Sequence, residues 1–241
     1  MLTAVSGGLK PRARLEAPSF ERMEPCQDKP TAYRTSKAFS SHPGAVAAWL
    51  RIGEIEAAAI DCAPSDRAGL NDLLPDLRAL TVDPDPGRWW PHLVGRCSEV
   101  GVAVVAEPAI KGARIKGAAR WFTQEKALVQ LILRHRWNDI FWFTLFHEIG
   151  HVLLQSKKDI FINDVGEHSG VEQEADAFAS QLLIPRSAEA TLGELSTTTD
   201  VVALAETLGI APGIVVGRLQ HEGRWPFNRG NDLKQRFVFT E

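Results

Sequence analysis

Residues 147 to 151 read His147-Glu148-Ile149-Gly150-His151 and follow the apolar run Phe141-Trp142-Phe143-Thr144-Leu145-Phe146. On a helix, residues four apart share a face, so both imidazoles can reach one metal ion while Glu148 faces the open coordination position. The run before them is apolar on nearly every side, so the helix that carries them must be buried. These demands fix a chain with one internal helix presenting two histidines into a cleft.

Elsewhere the pattern is that of an ordinary globular protein. The chain has 241 residues, 44% hydrophobic and 24% charged, which supports one or two packed domains. A formal net charge of -3 gives no overall attraction to nucleic acid or anionic membrane. Cys26, Cys62 and Cys97 are widely spaced and odd in number, which suits a reducing compartment and offers no paired zinc-cysteine site. No apolar run has the length of a membrane span or the character of a signal peptide, so the expected location is cytoplasmic.

Residues 1–30 hold scattered Pro and Gly without periodicity and are expected to be an irregular tail. Residues 31–100 are expected to form a helical segment, with stripes Ala45, Ala48, Trp49, Ile52 and Leu70, Leu73, Leu74, Leu77, Leu80. Asp83 to Gly87 reads as a loop, and Trp90 to Val100 as another helix. Residues 101–188 are expected to form the catalytic core. Gly101 to Val105 and Ala127 to Leu133 look like strands, and the basic, glycine-rich Lys111 to Gly117 reads as a hairpin connection. Asn138 and Asp139 offer a cap for the motif helix. Residues 189–241 are expected to form a C-terminal helical segment packed on the core. Within it, Val201 to Leu219 has the cadence of a helix-turn-helix, but between Ile210 and Gln220 only Arg218 is basic, which is poor equipment for reading DNA.

A catalytic zinc normally takes three protein ligands and leaves a position for water. The third donor is sought in Val171 to Pro185, an amphipathic stretch with the apolar stripe Val171, Ala175, Phe178, Ala179, Leu182, Leu183. Glu172 and Asp176 are four apart and share a face, so Glu172 can reach the metal while Asp176 accepts the free ring N–H of a ligand histidine. Glu174 is the competing donor and lies about 200° around the helix from Glu172. Glu148 is the expected general base. Two imidazoles and a carboxylate favour Zn2+, with Mn2+ and Fe2+ as alternatives. His168, before the Glu172 helix, is a candidate for a substrate-side role. His42, His92, His135 and His221 have no ligand-like neighbours, and Tyr33 is too distant in sequence to judge.

Phe141 to Gln155, together with the segment EQEADAFASQLLIP from Glu172 to Pro185, resembles the ImmA/IrrE family of zinc metallopeptidases. Leu208 to Gly223, and upstream Tyr33 to Ser36 and Ala48 to Glu54, are similar to members fused to a helix-turn-helix antitoxin of HigA type. The resemblance covers about Tyr33 to Phe237. It implies a zincin-like α+β domain with a small antiparallel or mixed sheet. It implies His147, His151 and Glu172 as ligands, Glu148 as catalytic acid/base, and a helix-turn-helix repressor or antitoxin as substrate. It also places the strand Leu128 to Leu133 beside the cleft, where a peptide can add as a further strand. Fused members begin with a DNA-binding domain, and residues 1–30 are too short and irregular for one, so the expectation is a freestanding peptidase or a shortened start. The rival reading is a non-catalytic antitoxin or DNA-binding regulator that keeps the metal-binding fold.

Overall fold

The computed structural model describes residues 42–132, 137–155, 161–164 and 170–237, the strand at 161–164 by its backbone alone. The expected tail, Tyr33, His135 and His168 lie outside the described residues. The order of elements is α1 (Pro43–Ala58), α2 (Arg67–Ala79), α3 (Pro86–Ser98), β1 (Val102–Glu107), β2 (Ile115–Trp121), β3 (Ala127–Ile132), α4 (Asn138–Leu154), β4 (Phe161–Asp164), α5 (Gly170–Leu183), α6 (Glu189–Glu194), α7 (Thr198–Leu208) and α8 (Pro212–His221). The class is α+β with a mixed sheet, as the sequence implied.

The sheet has the order β1-β3-β2-β4, with β1 parallel to β3 and the other pairs antiparallel. Its two faces bury different partners, because side chains alternate along a strand. Val102 and Val104 of β1, Ala119 of β2 and Ala127, Val129 and Leu131 of β3 join the main core with α2, α3 and α4. Ala103, Val105 and Leu128 pack with Ala57 of α1, while Ile115 and Ala118 pack with Val46 and Trp49. Ile115 and Ala118 are three apart yet share a face, and the β2–β4 register explains why. It shifts between Ile115 and Gly117, so Lys116 is the extra residue of a β-bulge.

Two expectations about this region are overturned. Lys111 to Gly117 does not connect a hairpin, since β1 and β3 are parallel; its last three residues belong to β2, and the hairpin is β2–β3, closed by Phe122 N–H to Lys126 O at 2.8 Å. The strand expected to receive a peptide, β3, lies between β1 and β2 with its main-chain groups paired on both sides, so no further strand can add to it. Among the described residues the edges are β1 and β4.

The helices follow their caps and stripes. Asp66 accepts from Gly69 N–H at 2.9 Å to start α2, and Asp85 accepts from Gly87 N–H at 2.9 Å to start α3, so Pro86 and Gly87 are helix rather than loop. Leu70, Leu73, Leu74 and Leu77 are buried as their spacing requires. In α1 the buried face is Val46, Trp49, Gly53 and Ala57, and Ala48 and Ile52 are exposed. Polar residues of the sheet set that face: Gln130 donates to Trp49 O at 2.7 Å and Arg120 to Leu50 O at 2.6 Å, and a Cβ at Gly53 would stand 2.1 Å from the Gln130 amide. Among the described residues no single helix is long and apolar enough to cross a membrane.

Helix α4 starts at Asn138 after Trp137, with no side-chain cap, so the expected Asn138/Asp139 cap does not form. Both side chains serve the C-terminal segment instead. Asn138 Oδ1 accepts from Gln235 N–H at 3.1 Å as well as from Asp139 N–H at 3.0 Å, and Asp139 Oδ2 pairs with Lys234 Nζ at 2.6 Å. Phe237 closes the contact, its ring 5.0 Å from that of Trp89, which in turn lies 4.8 Å from Trp142. Against this start of α4 lies α8, where a Cβ at Gly213 or Gly217 would collide with Asn138 or Asp139.

Candidate metal centre

Burial of α4 brings its histidines inside: His147 is 1% exposed, Glu148 0% and His151 2%. The seam with α5 is built from small residues, Gly150 on one side and the fully buried Ala175 and Ala179 on the other. A Cβ at Gly150 would lie 3.0 Å from Phe178 Cδ1 and 3.5 Å from Ala175 Cα, so glycine permits the close approach. That approach carries Glu172, 8% exposed, to the histidines.

Donor atoms of three residues converge there. His147 Nε2 lies 3.2 Å from Glu172 Oε2, His151 Nε2 lies 3.3 Å from Glu172 Oε1, and the two Nε2 atoms are 3.0 Å apart. Tetrahedral ligands at zinc bond lengths of about 2.0–2.1 Å stand about 3.3 Å from one another, so these three separations lie near the edge lengths such an ion requires. Among the described residues this is the group of His, Cys, Asp or Glu side chains able to hold a metal ion. The donor set, two imidazole nitrogens and one carboxylate, suits a borderline divalent cation.

The electrostatics agree. Burial works against a charge on His147, but hydrogen bonds to Asp176 and Glu172 and the nearby charge of Glu148 outweigh it and raise its pKa to about 9. Burial likewise opposes ionisation of Glu172, yet its hydrogen bonds to His147 and His151 bring it down to about 2. The site thus holds concentrated negative charge that needs a cation or a proton at its centre. Asp176 Oδ1 lies 2.9 Å from His147 Nδ1, which fixes the ring and leaves Nε2 directed at Glu172.

Glu148, next to His147 in the chain, stands about 100° round α4 from it and close enough for its charge to raise the His147 pKa. Its carboxylate rests against β2, where a Cβ on Gly117 would stand 2.4 Å from Oε1. Arg67 holds the far end of the helix, donating to Gln155 O at 3.1 Å, a cation where the helix dipole favours one. Glu174 is exposed on the other face of α5, away from the cluster, and His42, His92 and His221 are exposed and apart from it. Sequence reasoning did not single out Gly117, which ends a basic, glycine-rich run that reads as a hairpin connection.

No curated protein matches the chain. Residues 133–220 match a peptidase family model, the IrrE N-terminal-like domain. That span contains α4, α5, all three donors and the helices through α8. Residues 133–220 are thus similar to the ImmA/IrrE family of peptidases, and the mixed α+β architecture is consistent with a zincin-like domain of that kind.

Proposed function

We propose that the protein is a zinc-dependent metalloendopeptidase that cleaves a helix-turn-helix repressor or antitoxin, with Mn2+ and Fe2+ as alternative metals. The observation that carries this reading is the spacing of His147 Nε2, His151 Nε2 and a Glu172 oxygen, with Glu148 buried one residue from the first ligand. A cation bound there supplies Lewis-acid polarisation of the scissile carbonyl and lowers the pKa of a water. His147, His151 and Glu172 hold it, and Asp176 keeps His147 in the tautomer that presents Nε2. Glu148 takes the proton of the attacking water and delivers it to the leaving nitrogen, so the C–N bond breaks without a covalent enzyme intermediate.

The substrate strand is assigned to the outer side of β4, which among the described residues is the sheet edge next to β2 and so on the side where Glu148 meets the sheet. Main-chain pairing there accepts an extended segment with little regard to its side chains. The rival DNA-reading role draws no support from α8, which buries Ile214, Val215, Val216, Leu219 and Gln220 in the core and pairs its Arg218 with Glu222. A recognition helix needs that face for base edges.

The test is incubation with repressors encoded nearby, with and without a chelator. Discrete fragments that disappear on chelation are expected. Glu148→Gln should retain metal and lose cleavage by about 100-fold or more, whereas His147→Ala should weaken metal binding itself. Regulation that survives both substitutions unchanged in cells would favour a non-catalytic binding module.

A further inference from the structure

We propose that Gly117 is a positioning residue for Glu148: it leaves a side-chain-free socket in β2 that sets where the carboxylate stands. This rests on the metallopeptidase reading of the site.

The backbone gives no reason for a glycine here. Gly117 is not among the glycines with positive φ, which are Gly101, Gly112, Gly209, Gly223 and Gly230. A glycine inside a strand is less stable than an alanine would be, because more backbone freedom is lost, and β2 already has few residues that favour strands. What the position requires is space. It is buried, faces α4 with Ala119 and Trp121, and a Cβ there would meet Glu148 Oε1 at 2.4 Å, Cδ at 2.9 Å and Cγ at 3.0 Å. The bulge at Lys116 falls directly beside it, a local bend of the kind that accompanies functional sites in sheets.

The consequences of filling the socket are unequal for fold and for chemistry. Ordinary contact begins at 3.4 Å, so a methyl at 117 must push Oε1 away by 3.4 − 2.4 = 1.0 Å. All three crowded atoms belong to the Glu148 side chain rather than to backbone, so Oε1 moves most, Cδ and Cγ give by a few tenths of an ångström, and the strand and helix need not part. A misplacement of about 1 Å in a reacting group is enough to lower turnover by about 100-fold. A Cβ at 117 meets Glu148 first, its three nearest atoms all belonging to that side chain, so the metal ligands are expected to keep their places.

Gly117→Ala tests this with three readouts. Zinc binding, titrated with the metal alone, is expected to match wild type. On a cleavable peptide kcat falls by about 100-fold with KM within about threefold, the split expected when only the chemical step is disturbed. In denaturant unfolding of metal-free protein, the cost of Gly117→Ala disappears in a Glu148→Ala background, because the colliding carboxylate is gone. Turnover within about threefold of wild type, or equal unfolding effects in both backgrounds, overturns the proposal. Should the alanine variant fail to fold, restored folding in Gly117→Ala/Glu148→Asp, one methylene shorter, supports the contact, and its failure there counts against it. A wild-type protein that binds zinc and cleaves nothing refutes the peptidase reading instead, and the unfolding cycle still decides whether position 117 places Glu148.

Discussion

Replacing Gly150 by valine should weaken metal binding without touching a ligand. Its Cβ would enter the α4–α5 seam 3.0 Å from Phe178 Cδ1 and 3.5 Å from Ala175 Cα. The half-buried Phe178 ring can swing aside, but Ala175 Cα is backbone and moves only with its helix. The two further methyls of valine extend past Cβ into a seam that is already filled, so α5 must shift outward by an amount on the order of 1 Å. Glu172 travels with α5, and a metal site tolerates only about 0.2 Å of error in its bonds. Zinc affinity should therefore fall by about 10- to 100-fold, the range seen when supporting contacts around a metal are lost. Overpacking costs about 1–3 kcal/mol, offset by roughly 0.5 kcal/mol because valine is a better helix former than glycine. Gly150→Ala, whose single methyl meets mainly the mobile ring, should show a smaller effect in the same direction. Competition titration against a chromophoric chelator reads the affinity, and denaturant unfolding of metal-free protein reads the stability. Valine at 150 with zinc affinity within about twofold of wild type would refute the claim that this seam sets the place of Glu172.

Metal-free protein should be most stable between about pH 4.5 and 6.5. His147 is raised to about 9, so its contribution is complete below its ordinary value of 6.5 and lost as pH climbs through 9; Glu172 is lowered to about 2, so its contribution is present above 4.5 and lost as pH falls towards 2. Melting curves across pH, with chelator and with zinc, check this, and zinc should remove the alkaline loss because it binds the deprotonated ring. Lys234→Met should destabilise by about 3–5 kcal/mol, since Asp139 is left without its cation in a pair whose side chains are 11% and 10% exposed. Adding Asp139→Asn should recover more than half of that loss in the same unfolding assay. Phe237→Ala, which empties a place among Trp89, Phe141 and Trp142, should cost about 3–5 kcal/mol, and a loss below about 1 kcal/mol would mean that the C-terminal segment is not anchored there.

What the sequence revealed follows from which patterns are local. Helical spacing states a face directly, so the pairing of His147 with His151 and of Glu172 with Asp176 could be read four residues at a time. The preference for Glu172 over Glu174 came from the same geometry, and the structure puts the first in the cluster and the second on the surface. Strand pairing is not local. Nothing in Ala127 to Leu133 says that the chain returns to place β1 on one side and β2 on the other, and a run uniformly apolar on both faces fits a central strand at least as well as an edge. β2 itself was hidden because Gly117, Ala118 and Ala119 carry almost no strand preference; its small side chains answer to α4 and α1 on either face. The face of α1 was hidden for a related reason, since alanines tolerate either side and the deciding groups, Gln130 and Arg120, come from distant strands.

Under the proposed mechanism the two glycines divide the chemistry of the site between two seams. Gly150 permits the approach of α4 to α5 that brings Glu172 to the histidines, whereas under the proposal above Gly117 leaves the space on β2 in which the Glu148 carboxylate stands. Because α4 is rigid and buried between them, a change in one seam need not be felt in the other. A substitution at 150 should therefore appear in metal affinity, and one at 117 in turnover at unchanged affinity. Combining the two should give losses that add in free energy, as expected of residues acting on separate steps through separate contacts. A strong departure from additivity would mean that α4 itself moves, and that ligand and base are positioned by one adjustment of the helix rather than by two independent packings.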